Sequence, residues 1–159
     1  MDEEQREVLA LYGLAMYHSQ CVEKSTAILV GTLANPDFLN ALPEQNRQSL
    51  EGDLLKTLGR LIRVLSSRVQ LPADLEVRLR EALRVRNWLA HRYFWDRAGS
   101  VLTHEGRQRM VAELKEASDL LNRLDDELML IATAWRRSVG ISDEVVEPEL
   151  QKYLRCEDS

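Results

Sequence analysis

The chain holds 159 residues, 45% apolar, 30% charged and only 6% aromatic, the size and balance of one globular domain rather than two. With 7 Gly and 4 Pro it has too little turn chemistry for a sandwich or barrel, while Leu, Ala, Glu and Arg abound, so the composition reads as all-helical. The 21 Lys and Arg against 26 Asp and Glu leave a net charge of -5, which disfavours a generic basic DNA-binding module; arginines nonetheless crowd the stretch Arg78 to Arg97 and keep a local basic patch that RNA could use.

Val8, Tyr12, Ala15, Ser19, Val22, Thr26, Leu29 and Leu33 recur at spacings of three and four, which predicts a first helix over residues 3 to 34, broken by Asn35-Pro36. After a polar connection through Pro43, the stripe Leu50, Leu54, Leu58, Leu61 and Leu65 predicts a second helix over 46 to 69, closed by Pro72. Ala73 to Trp95 contains neither Gly nor Pro and carries Leu75, Leu79, Leu83, Leu89, Ala90 and Tyr93 on a third helical face, with Asp96 to Ser100 as the turn. Thr103 is the expected N-cap of a fourth helix, whose seam runs Met110, Leu114, Ala117, Leu121, Leu124, Leu128, Ile131 and Trp135 and stops near Gly140. Residues 1–140 thus form the expected bundle. Residues 141–159 form an acidic tail with a short amphipathic helix around Leu150, Tyr153 and Leu154. Four long helices on short or moderate loops favour an up-down four-helix bundle in which the first and third helices run parallel.

Two cysteines, Cys21 and Cys156, are too few for a disulfide framework and lack metal or redox spacing. The start MDEEQREVLA is acidic where a secretory signal would be basic, and no apolar run nears the roughly 18 residues of a membrane span. The expected location is the cytoplasm, with no membrane partner.

Arg86 is the residue that breaks the pattern. On a wheel of about 100° per residue it falls at the centre of the third apolar stripe, flanked by Leu75, Leu79 and Tyr93. A charge there costs several kcal/mol unless it is paired or reaches a solvated cleft. Two readings follow: a structural group that snorkels or pairs with Glu23 of the first helix, or a functional guanidinium. Asn87 and His91 share a face about 100° to 140° away, four residues apart, where the amide could orient the imidazole. A lone His91 is more often structural or surface than catalytic; the combination is what points to function. Val77, Trp88 and Trp95 form a second apolar strip opposite the core, which either packs on the carboxy-terminal tail or meets a second protomer. In the latter case two Arg86–Asn87–His91 sets face one cleft.

The stretch Arg86-Asn87-Trp88-Leu89-Ala90-His91-Arg92-Tyr93 resembles the HEPN superfamily signature, an Arg and a polar residue followed by His after four positions. With Tyr93 two after the His, it resembles the longer form found in HEPN toxins paired with nucleotidyltransferase antitoxins. The resemblance implies a four- to five-helix bundle that dimerises and acts as a metal-independent endoribonuclease of toxin or phage-defence type, with RNA as substrate and no cofactor. The sequence accordingly shows no metal-ligand cluster, since His18, His91 and His104 lie on different segments. In such chemistry His91 is the general acid or base, Arg86 stabilises the phosphorane and Asn87 orients. Arg92 and Arg97 are candidate phosphate contacts. Tyr93 has a family role as a modification target, whereas its wheel position assigns it to packing. The alternative function is a non-catalytic HEPN-like module that binds a protein partner or nucleotide.

Overall fold

A computed structural model describes residues 2–34 and 57–141, together with Gln45 and Gln48, and among these residues the chain is all-α with no strand. Helix α1 spans Glu3–Leu33, α2 Leu58–Arg68, α3 Ala73–His91, the single turn α4 Tyr93–Asp96, and α5 His104–Ser138, which a 3-10 turn at Ser100–Leu102 precedes. Residues 46, 47 and 49–56 of the expected second helix lie outside the described residues, as does the expected tail helix around Leu150, Tyr153 and Leu154.

Helix ends follow from local chemistry. Asp2 and Gln5 close a reciprocal capping box at the start of α1, with bonds of 2.8 and 3.1 Å. Thr103 caps α5 as expected, its hydroxyl oxygen accepting the Gly106 N–H at 3.1 Å. Gly140, at φ 79, takes the left-handed conformation that ends α5. At Gly106 the first turn of α5 presses on the preceding 3-10 turn so closely that a Cβ would lie 2.1 Å from the Ser100 carbonyl oxygen. The expected third helix is divided: Arg92, at φ -132 and ψ -20, departs from helical geometry and separates α3 from α4. No Gly or Pro marks that break, which coincides with the burial of Tyr93.

Helices α1 and α5 make the most extensive interface and run parallel, because contacts recur at a constant separation of 100 residues: Glu4 with His104, His18 with Ser118, Ser25 with Asp125. Helix α3 is antiparallel to both, pairing Tyr12 with Leu89 and Glu23 with Arg86 on one side, and Met110 with Tyr93 and Glu127 with Arg78 on the other. The expected parallel pairing of first and third helices is therefore corrected. Its cause lies in α2, which begins at Leu58 beside Glu23, reaches Ala34 through Arg68, and so runs in the same direction as α1.

The core draws on the predicted stripes, with Val8, Ala15, Val22 and Leu29 from α1, Leu61 and Leu65 from α2, Leu75, Leu79 and Leu89 from α3, and Met110, Leu114, Leu121 and Leu128 from α5, and it adds Ala27, Val30, Val85 and Val111 from outside them. Burying each large aliphatic side chain contributes about 1.5–3 kcal/mol. Small hydroxyl residues line the seam of α1 and α5, and each finds a partner: Ser19 and Thr26 donate to the Met16 and Val22 carbonyls, and Ser25 donates across to Asp125 at 2.5 Å.

Candidate functional site

The C-terminal end of α3 is held by an aromatic cluster. The Tyr12 hydroxyl donates at 3.1 Å to the carbonyl of Leu89, a last-turn acceptor of α3. Its ring lies 5.9 Å from that of Tyr93 and 4.8 Å from that of Phe94. Tyr93 is 0% exposed, meets Trp88 edge-on at 4.8 Å, and donates its hydroxyl to the Met110 carbonyl at 3.3 Å. Burial, reinforced by the Glu113 carboxylate, pushes the Tyr93 phenol well above the ordinary tyrosine range. Tyr93 is thus a packing residue in this fold, and its hydroxyl faces the protein interior where a modification target needs access.

The buried face of α3 runs through Leu75, Leu79, Ala82, Val85 and Leu89, and Leu83 and Ala90 are only half-buried. This turns the stripe away from Arg86, correcting its expected place at the centre: its side chain is 27% exposed, at the rim between core and water. Among the described residues the guanidinium meets two partners. Nη1 donates to the Asn87 side-chain oxygen at 3.3 Å, and Nη2 lies 3.9 Å from Glu23 Oε1. Asn87 is therefore joined to Arg86 and not to His91. The side chain of His91 is exposed and makes no hydrogen bond, ion pair or ring contact among the described residues. Arg86 and His91 stand about 140° apart around the helix and about 7.5 Å apart along it, so one chain presents them on different flanks.

The other arginines of this stretch are committed. Arg78 bridges Asp74 at 3.0 Å and Glu127 at 2.5 Å, Arg80 holds Glu76 at 2.6 Å, and Arg84 holds Glu81 at 2.6 Å. Arg92 pairs with Asp96 at 3.0 Å, and the Asp96 carboxyl, which also accepts the Trp88 indole N–H, is held below the usual carboxylate range, Arg92 being the largest cause. Arg97 grips both oxygens of Glu113 at 2.8 and 2.9 Å, with its guanidinium carbon 5.4 Å from the centre of the Trp88 ring. The i,i+4 pairs were readable from spacing. The Arg97–Glu113 clamp joins residues that only the fold brings together.

Of the second apolar strip, Val77 is 65% and Trp95 83% exposed, whereas Trp88 is half-buried in its own chain by Tyr93 and Arg97. A groove of about 570 Å³ between α3 and α5 is lined by Arg78, Glu81, Glu116, Asp119, Arg123 and Glu127, and neither Arg86 nor His91 opens into it. Among the described residues no three His, Cys, Asp or Glu side chains converge as metal ligands, and no helix is long and apolar enough to cross a membrane. Comparison of the chain with protein-family models, with curated proteins and with solved structures finds no match.

Proposed function

We propose that this chain is a metal-independent endoribonuclease of the HEPN-like toxin or phage-defence kind, acting as a homodimer whose two Arg86–Asn87–His91 sets share a cleft. The observation that carries this reading is selective freedom. Among the described residues, Arg86 is the one arginine of the six from Arg78 to Arg97 with no carboxylate within 3.0 Å, and the side chain of His91, on another flank of the same helix, is exposed and unengaged. The angle between the two groups on one helix favours a site completed by a second protomer over one built within a chain.

In this mechanism His91 removes the ribose 2′-hydroxyl proton as that oxygen attacks phosphorus. The bond from phosphorus to the 5′ oxygen breaks, and the leaving oxygen takes up a proton from an imidazolium. Arg86 spreads its planar fork over the oxygens of the phosphorane, and Asn87 holds the fork through its side-chain oxygen. Arg92 and Arg97 meet flanking phosphates by exchanging their carboxylate partners. The products are a 2′,3′-cyclic phosphate and a free 5′-hydroxyl. Incubation of the purified protein with total RNA in EDTA tests the reading: cleavage leaving cyclic phosphate ends, lost in Arg86→Ala and in His91→Ala, supports it, and equal cleavage by both variants refutes it.

A second reading has its own support. Five of the six arginines are neutralised by carboxylates, and Val77 and Trp95 stand exposed, features that suit a non-catalytic helical module binding a protein partner or nucleotide. A stable monomer without RNA cleavage favours that module.

A further inference from the structure

Resting on the ribonuclease reading, we infer that Glu23 is a positioning residue for Arg86: a counter-ion that parks the guanidinium at the edge of the site and yields it to a substrate phosphate. One carboxylate oxygen carries both duties. Glu23 Oε1 accepts the Leu58 N–H at 2.7 Å, and the same oxygen stands 3.9 Å from Arg86 Nη2.

The first contact fixes the carboxylate in space. Leu58 opens α2, the side chain of its N-cap residue Thr57 does not cap the helix, and Glu23 supplies the missing acceptor from the neighbouring helix. The carboxylate therefore cannot follow Arg86 without uncapping α2. The second contact is beyond hydrogen-bond range, so it attracts the guanidinium without clamping it. Glu113 does the opposite to Arg97, which it grips with two oxygens at 2.8 and 2.9 Å. With side chains 27% and 22% exposed, Arg86 and Glu23 sit where charge is only partly screened. A phosphate that offers two oxygens in the plane of the fork outcompetes a single oxygen at that distance. Glu23 thus compensates a half-buried cation in the empty protein and sets the threshold for anion capture.

Glu23→Gln separates the two duties, because the amide oxygen still accepts the Leu58 N–H while the charge is gone. The Arg86 side-chain Nε–H signal is followed by NMR during titration with inorganic phosphate, and KM and kcat are measured on a single-stranded RNA. The expected result is a phosphate Kd and an RNA KM lowered about twofold to fivefold in Glu23→Gln, with kcat and melting temperature unchanged. Arg86→Lys, which lacks the fork, is expected to bind phosphate more weakly with either residue at position 23. An unchanged phosphate Kd, or a change in kcat instead of KM, overturns the inference. If phosphate binding tightens while no RNA is cleaved even by the unaltered protein, Glu23 keeps this role and the ribonuclease reading falls. If RNA is cleaved and phosphate binding does not move, the ribonuclease reading stands and the role of Glu23 is lost.

Discussion

Tyr93 anchors the last turn of α3, two residues beyond His91, through a hydroxyl on Met110 and ring contacts to Tyr12, Trp88 and Phe94. Tyr93→Phe keeps the rings and loses one buried hydrogen bond, which should cost about 1 kcal/mol in urea unfolding. Its phenol is raised in the folded state, so its contribution is complete below the unfolded tyrosine value, about 10, and is lost as pH climbs through the folded value. One of the four tyrosines should then ionise only as the protein unfolds, and Tyr93→Phe should delete that step from an absorbance titration near 295 nm. At this scale Arg86, Asn87 and His91 are singled out by residue type and spacing alone, and their role is the proposal made above. Their surroundings were not legible: the wheel omitted Val85 from the core, and burying it turns Arg86 toward the rim. Pairing with Glu23, one of the two structural alternatives for Arg86, is formed at 3.9 Å.

Among the elements, the parallel pair α1 and α5 carries a charged clasp at its amino-terminal end. Glu4 accepts from Arg107 at 2.7 Å and pairs with His104, and these partners, Arg107 foremost, hold its carboxyl below the usual range. A carboxyl depressed in the folded state contributes stability above its unfolded value, about 4.3, that is lost as pH falls through the lower folded value. The urea midpoint should therefore drop on the acid side of that value, and Arg107→Ala should make the drop shallower. Close by, Gly106→Ala puts a methyl group against the Ser100 backbone and should destabilise by about 1–3 kcal/mol, read as a lowered thermal midpoint with helix content retained. Element boundaries were legible wherever a cap or breaker marks them, as at Thr103, Gly140 and the end of α1. The break at Arg92 was invisible because no local signal marks it; it coincides with the tertiary burial of Tyr93.

For the whole molecule, composition and periodicity sufficed for an all-α chain, while helix directions needed contacts that sequence does not display. Heptad-like seams specify which face is buried but not whether the neighbour runs up or down, and the constant 100-residue offset between α1 and α5 emerges only on folding. A composite cleft requires a second protomer, and the exposed Val77 and Trp95 are the surface proposed to receive it. Replacing both by Asp should give a monomer by sedimentation equilibrium, with RNA cleavage lost in step and the melting temperature of the fold little changed.

The most direct measurement is complementation. Arg86→Ala and His91→Ala are each assayed on RNA in EDTA, then unfolded together at equal concentration, refolded and assayed again. A cleft that joins the guanidinium of one protomer to the imidazole of the other predicts two inactive variants whose mixture recovers about a quarter of the native rate, since half the dimers are mixed and each of these holds one intact site of two. Two inactive variants whose mixture stays inactive, or two variants that cleave as the native protein does, would contradict it.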